Sequence, residues 1–335
     1  MPAKALILAP FDDGYLARLR EIGVRVTYEP WTASGRIQNP AELAKRLAGE
    51  AYEIVVVEAD FLTAEAFAAP KLRIAGCCRN SLSLIDVNAA TERGIPIINT
   101  PTRNTIAVAE HAIALMLSIA RQSYAAHAYV LAGEWTNPMD AYTRFQGREL
   151  NGSTLGVIGL GNIGGEVATR AKALGARVVA FDPYVAKERA RKLGVRLVKL
   201  AALLAGADLV TLHTSLSGKE QVLDAAALDL MKPGAYVVNT GAHQALDYDA
   251  LAERLRDGRL AGAALDVFPG FVLAPDSPLR GLPNVIVTPH IGGATKETVM
   301  RQSRTVFEDL QRFLRGARPR NIANPEAFKV ARRGR

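Results

Sequence analysis

The sequence predicts an α/β protein of two doubly wound parallel-sheet domains, on three observations. Short apolar runs alternate with amphipathic ones along most of the chain. A single long helical stretch interrupts that alternation, and a second strand series then opens on a glycine-rich turn. The 335 residues suffice for two cores. A composition 49% hydrophobic and 22% charged is that of a globular chain.

The first series comprises AKALILAP, VRVTYEP, EIVVVEAD, LRIAGCC and IPIINTP. Each is a short, nearly unbroken apolar run, as a strand covered on both faces requires. PAELAKRLAG and LTAEAFAAP lie between them with helical patterning. From Thr102 the period changes. In RNTIAVAEHAIALMLSIARQ, residues Ile106, Ala109, Ile113, Met116 or Leu117, and Ala120 recur at helical spacing behind Pro101, so this helix connects the domains. Residues 121–150 have no clear period and two aromatic-rich patches, which reads as a protruding arm or a subunit contact. The second series runs through STLGVIGLGNIGG, ARVVAFD, ADLVTLH, AYVVNT, AGAALDV and NVIVTPH. After His290 comes GGATKETVMRQSRTVFEDLQRFL, a second long amphipathic helix. Packed back on the first domain, it would make that domain discontinuous. The expected boundaries are 1–101 with 291–335 for the first domain and 102–290 for the second.

Several function classes are set aside. The net charge of +8 owes much to a basic tail, RFLRGARPRN and KVARRGR, without interleaved aromatics or a recognition motif, so no nucleic-acid partner is expected. No apolar run approaches the roughly 20 residues that span a bilayer, and the N-terminus lacks a charged leader, so a cytoplasmic, non-membrane protein is expected. Cys77 and Cys78 are adjacent, with no third ligand near them in sequence. They read as reduced, buried thiols, and no metal site is expected.

The glycine turn carries the strongest chemical signal. Gly159, Gly161 and Gly164 follow the apolar strand LGVI and open a helix, with Asn162 and Ile163 in its first turn. The first glycine permits the turn, the second lets backbone approach a pyrophosphate, and the third allows close helix–strand packing. The helix N-terminus offers amides and a positive dipole end to the phosphates. Asp182 ends the next strand, 18 residues after Gly164. Its carboxylate can accept from both adenosine ribose hydroxyls and would repel a 2′-phosphate, which favours NAD over NADP.

With these residues in view, the chain resembles the D-isomer-specific 2-hydroxyacid dehydrogenases, the family that includes D-3-phosphoglycerate dehydrogenase. The likeness runs from CCRNSLSLID and TERGIPIINTPTRNTIAVAEHAIALML through LNGSTLGVIGLGNIGG, MKPGAYVVNT and LAGAALDVF to NVIVTPHIGGAT and RNIANPE. It implies a discontinuous flavodoxin-like substrate domain, an NAD-binding Rossmann domain and a homodimer. The implied chemistry is hydride transfer between nicotinamide and the carbon of a 2-oxo or 2-hydroxy acid. In that family an Arg holds the substrate carboxylate, a His exchanges the proton and a Glu holds the His. His290 in TPHIGG falls on the family histidine, and Asp266 in LDVF on the acid that contacts the nicotinamide carboxamide. His213, Thr240, Gly241 and Gly292 complete the expected cofactor-binding set.

The same alignment places Ala242 on the family arginine and Phe271 on the glutamate. Arg79, Asn80, Ser81 and Leu82 stand where bare glycine backbone is usual. The sequence therefore points to an NAD-dependent oxidoreductase with a re-specified pocket for a small-molecule substrate. His290 and His243 are its catalytic candidates, and Arg79, Asn80, Ser81 and Phe271 its candidate substrate contacts. Arg79, Arg103 and Arg144 are the candidates to replace the missing cation. The alternatives are an NAD-binding regulatory or scaffold protein without turnover, and a redox-neutral enzyme that keeps NAD bound.

Overall fold

In the computed structural model, which describes residues 2–214 and 221–333, the chain forms two sheets whose strands all pair in parallel. Two compact units result, Met1–Arg103 with Thr295–Arg335, and Asn104–Ala294. The crossings thus lie two and four residues beyond 101 and 290. The cause is local. Arg103 is held in the first unit by an ion pair to Glu58 (2.6 Å) and a hydrogen bond to Gln302. The Gly292 amide is held in the second by Asp266 (2.8 Å).

The first unit contains β1 (Lys4–Ile7), β2 (Arg25–Tyr28), β3 (Ile54–Val57), β4 (Ile74–Cys77) and β5 (Ile97–Asn99), in the order β2-β1-β3-β4-β5. That is the flavodoxin-like order. Side chains alternate between faces: Leu6, Val55 and Val57 enter one core with Leu43 and Phe67, while Ile7, Ile54 and Val56 enter the other. The helix Lys296–Leu314 covers that second face through Val306, Phe307 and Leu310, so the end of the chain completes the unit that its beginning starts. Cys77 and Cys78 are buried free thiols at the end of β4, and burial pushes Cys77 up to about 11.

The second unit contains β6 (Thr154–Ile158), β7 (Arg177–Phe181), β8 (Arg196–Leu197), β9 (Leu209–Leu212), β10 (Ala235–Asn239), β11 (Leu260–Leu265) and β12 (Val285–Val287). Their order is β12-β11-β10-β9-β6-β7-β8. Strand order reverses between β6 and β9, which creates the crevice where open α/β sheets bind ligands. The helix Thr105–Arg121 belongs to this unit, with Ala109, Met116 and Ile119 in its core. Residues 121–150, which show no clear period in sequence, contain two helices, Ser123–Leu131 and Pro138–Arg144. Only Tyr129 among their residues is buried, so burial leaves no helical stripe to read.

Asp208 ties the N-terminal edge of this sheet together. It accepts from the Thr154 amide (2.8 Å) and pairs with Arg148 (2.8 Å) and Lys232 (3.2 Å). Burial pushes its carboxyl up, but these three donors outweigh burial and hold it below the usual range. A depressed folded-state value means stability present above the unfolded pKa, near 3.9, and lost as pH falls through the folded one. Asp208→Asn is expected to cost about 1 kcal/mol at pH 7 and to flatten the acid limb of the stability curve below about pH 4. Urea unfolding at pH 7 and pH 3.5 measures both.

Candidate active site

The three motif glycines have three different physical causes. Gly159 follows β6 at φ +90°, where a Cβ would lie 2.8 Å from the His213 carbonyl oxygen. At Gly164 a Cβ would lie 2.0 Å from the Gly159 carbonyl oxygen, so only glycine lets the helix Asn162–Ala173 start against the turn. At Gly161 a Cβ would meet nothing within 4 Å. Nothing inside the protein requires that residue to be bare, whereas a pyrophosphate lying on the backbone does. Gly161 caps the helix without a side-chain hydrogen bond, so no side chain competes for the first-turn amides. Ile163 packs against the core, and Asn162, the first residue of the helix, is exposed. The residues present fit a dinucleotide.

Asp182 takes a more structural part than its sequence position suggests. One carboxylate oxygen accepts from the Leu160 amide (2.8 Å), the other from Tyr184 (2.9 Å) and Val185 (3.0 Å). Of about four acceptor positions on a carboxylate, three are used, which leaves one for ribose rather than two. A cation that the sequence reading missed stands beside it. The helix Lys187–Leu193 turns Arg189 back so that its Nε donates to the Leu160 carbonyl (3.0 Å) and an Nη to the Gly161 carbonyl (2.8 Å). The guanidinium thereby fixes two carbonyls of the glycine turn and adds positive charge there. No local signal marks it, because six residues of turn and helix separate it from Asp182.

His213 follows β9 and is buried, with one ring nitrogen 2.9 Å from Thr211 Oγ1 and the other 3.5 Å from Thr240 Oγ1. Burial pushes the imidazole down to about 3, so the ring is neutral at physiological pH and braces two strand ends. The ring is thus engaged inside the protein. Gly241 is packed likewise: a Cβ would lie 2.9 Å from the Leu212 carbonyl oxygen.

Asp266, after β11, is 2% exposed and gathers four groups. It accepts from Thr288 Oγ1 (2.6 Å) and from the amides of Ile291 (2.9 Å) and Gly292 (2.8 Å), while His111 Nε2 lies 3.5 Å away. Burial pushes its carboxyl up, but His111, Thr288 and the two amides prevail and hold it below the usual range, ionised at neutral pH. The loop clamped in this way carries His290, which is exposed and held at φ +56°, a left-handed conformation that non-glycine residues seldom adopt. A Cβ on Gly292 would lie 3.0 Å from the Asp266 carboxylate, so glycine there serves this clamp. His111, on the helix Thr105–Arg121, is a second residue that sequence reasoning did not find. Its signal, a histidine in an otherwise largely apolar helical segment, was present but not specific.

The loop after β10 is pinned by the buried Asn239. Its Oδ1 accepts from the Gly241 amide (3.0 Å) and its Nδ2 donates to the Ala242 carbonyl (3.1 Å). Ala242 packs against the core, and His243 begins a short 3-10 turn to Ala245. His243 lines a cavity of about 480 Å³ with Tyr248, Phe268 and Val272, and His290 is not among the lining residues. Phe271 ends the turn Pro269–Phe271, and its side chain lies outside what the structure describes. In the first unit Arg79, Asn80 and Ser81 follow β4, with Asn80 and Ser81 exposed. The Arg79 carbonyl accepts from the Thr100 amide (3.1 Å), and Ser81 Oγ bonds Ser83. Among the described residues no cluster of three or more metal-ligating side chains occurs, and no helix is long and apolar enough to cross a membrane.

A strand order that reverses at a bare glycine turn, with an acid after the next strand, defines a dinucleotide-binding α/β protein. Comparison with known proteins gives the family. Residues 113–292 match the D-isomer specific 2-hydroxyacid dehydrogenase, NAD binding domain. The chain is 39% identical over 325 residues to D-3-phosphoglycerate dehydrogenase of Archaeoglobus fulgidus, covering 96% of this chain and 59% of that protein. It is 39% identical over 282 residues to glyoxylate reductase of Korarchaeum cryptofilum, covering 83% of this chain and 84% of that one. The crystal structure of the TT0316 protein from Thermus thermophilus superposes with a TM-score of 0.85 at 35% identity, covering 96% of this chain and 99% of that one. The chain thus belongs to the D-isomer-specific 2-hydroxyacid dehydrogenase family and carries its NAD-binding domain.

The open space at Gly161 yields a direct test. Gly161→Ala is expected to keep its thermal midpoint within about 2 °C, since the methyl touches nothing. It is also expected to weaken NADH binding at least tenfold, about 1.4 kcal/mol, by fluorescence titration. Unchanged NADH affinity would mean that the cofactor does not lie on this backbone.

Proposed function

We propose that the chain catalyses NAD-dependent hydride transfer to or from a small carbonyl or hydroxyl compound, in a pocket re-specified away from the family's usual 2-oxo acids. The observation that carries this is residue 242. The loop is held by Asn239 and carries a core-packed alanine, at the position that the family resemblance aligns with its carboxylate-binding arginine. An arginine that stabilises a developing oxyanion is worth about 2.7–4 kcal/mol, so its loss costs at least a hundredfold on an acidic substrate. Bound NAD supplies or accepts the hydride. His290, on the loop clamped by Asp266, holds or takes up the proton of the reacting oxygen. Asp182 favours NAD over NADP by repelling a 2′-phosphate.

A second reading has its own support. Of the three arginines able to replace the missing cation, Arg103 is paired with Glu58. Arg144 stacks on Tyr129 (4.7 Å) and pairs with Glu134. Arg79 has no ion pair among the described residues. If Arg79 holds a substrate carboxylate, the chain acts as an ordinary 2-hydroxyacid dehydrogenase, in line with what its relatives are named for.

NADH oxidation across small 2-oxo acids, neutral ketones, aldehydes and imines separates these readings. The first expects turnover of uncharged substrates by the wild type, with at least a hundredfold gain on 2-oxo acids in Ala242→Arg/Phe271→Glu. Fast wild-type turnover of 2-oxo acids that Arg79→Ala abolishes would replace it with the second. NADH binding with no turnover in either protein would favour a regulatory protein.

We also propose a homodimer, supported by the arm at 123–145. Leu131, Met139 and Tyr142 are 74%, 73% and 76% exposed there, more apolar surface than a solvated helix pair needs. Light scattering is expected to give twice the chain mass for the wild type and the single mass for Leu131→Asp/Met139→Asp. A monomeric wild type at micromolar concentration would refute the dimer.

A further inference from the structure

The first unit holds a cavity of about 1040 Å³ at the end of its sheet opposite the Arg79 loop. Arg73 and Arg93 to Pro96 lie there, immediately before β4 and β5, whereas Arg79 to Ser81 follow the other end of β4. Leu72, Ile95 and Phe313 give it an apolar floor, and its charged lining is Arg73, Arg93, Arg318, Lys329 and Glu326. Four cations against one acid leave a formal excess of three positive charges (4 − 1). Arg73 is paired with Glu53 at 2.8 Å, but among the described residues Arg93, Arg318 and Lys329 have no acidic partner. Two of the guanidinium groups are also held in place. Arg73 lies over the Phe313 ring (5.5 Å) and Arg318 over the Phe328 ring (5.4 Å).

Like charges gathered around one concavity repel each other, and a solvated surface would let long side chains spread apart. Here aromatic rings hold two of them at the opening. Planar, pre-oriented guanidinium forks around an apolar floor are complementary to a small molecule with a carbon body and several anionic groups. We propose that this cavity is a binding site for a small organic polyanion, carrying phosphate or several carboxylates, distinct from the NAD and substrate sites. A polynucleotide fits less well, because the cations ring one hollow instead of tracking along a groove, and no exposed aromatics line a path for bases.

The test is calorimetric titration of the full chain, saturated with NADH so that the glycine turn is filled. The probes are citrate and inorganic pyrophosphate at constant ionic strength. Saturable binding of at least one probe at one site per chain is expected. Arg93→Gln/Arg318→Gln, both exposed positions, should weaken it at least about tenfold and leave NADH affinity and thermal midpoint unchanged. Arg79→Ala should leave probe binding intact. The proposal is overturned if neither probe saturates at millimolar concentration, or if the double variant binds as the wild type does. It is equally overturned if Arg79→Ala removes the binding, which would place the anion in the substrate site. Displacement of the probe by single-stranded RNA at lower concentration would assign the surface to nucleic acid instead.

Discussion

The direction of the parallel ladder is the constraint on which the chemistry of this protein depends. Strands covered by helices on both faces must run the same way, so every strand of the second unit ends on the same edge of its sheet. The residue that follows each of six strands there belongs to the candidate site. Gly159 follows β6, Asp182 follows β7, His213 follows β9, Thr240 follows β10, Asp266 follows β11 and Thr288 follows β12. The long-range strand pairing that builds the sheet assembles them at the same time, because hydrogen bonding between strands aligns their ends. The first unit obeys the same rule, with Arg79 to Ser81 just past β4.

Alignment alone leaves flexible loops, and buried polar side chains make them rigid. Asn239 closes the turn after β10, Asp266 closes the one after β12, and Asp182 with Arg189 hold the glycine turn from its acidic and basic sides. In each case a side chain satisfies backbone groups that a strand has just released, which is where unpaired amides and carbonyls would otherwise cost most. The same residues therefore serve stability and recognition together. Asp182 illustrates the tension: a carboxylate that organises three amides has little capacity left for a ligand.

What was legible in the sequence follows from this division. Strand identity depends on local apolar runs, and the glycine turn on a spacing of five residues, so both can be read from short windows. Gly159 and Gly164 also state their geometry through residue type, since any Cβ there collides with backbone. Arg189 and His111 could not be read in that way. Their partners lie on other elements, 28 residues away for Gly161 and 155 for Asp266, and only helix packing decides which face reaches them. The arm at 121–150 was unreadable for the opposite reason. Its helices bury almost nothing, so no burial period was imprinted on the sequence.

The charges along the aligned edge bear on the open chemical question. Asp182 and Asp266 are acidic, His213 is neutral, and Arg189 commits its Nε and one Nη to the glycine turn. Asp266 in particular stays ionised, because Thr288, His111 and two amides surround it. With alanine at 242, none of the described residues that directly follow these strands carries a fixed positive charge. Among the described residues that directly follow these strands, the fixed charges are the carboxylates of Asp182 and Asp266, which repel an anion. The forces that hold the loop at 242 come from Asn239 and the core packed around Ala242, so its shape does not depend on a charged side chain there.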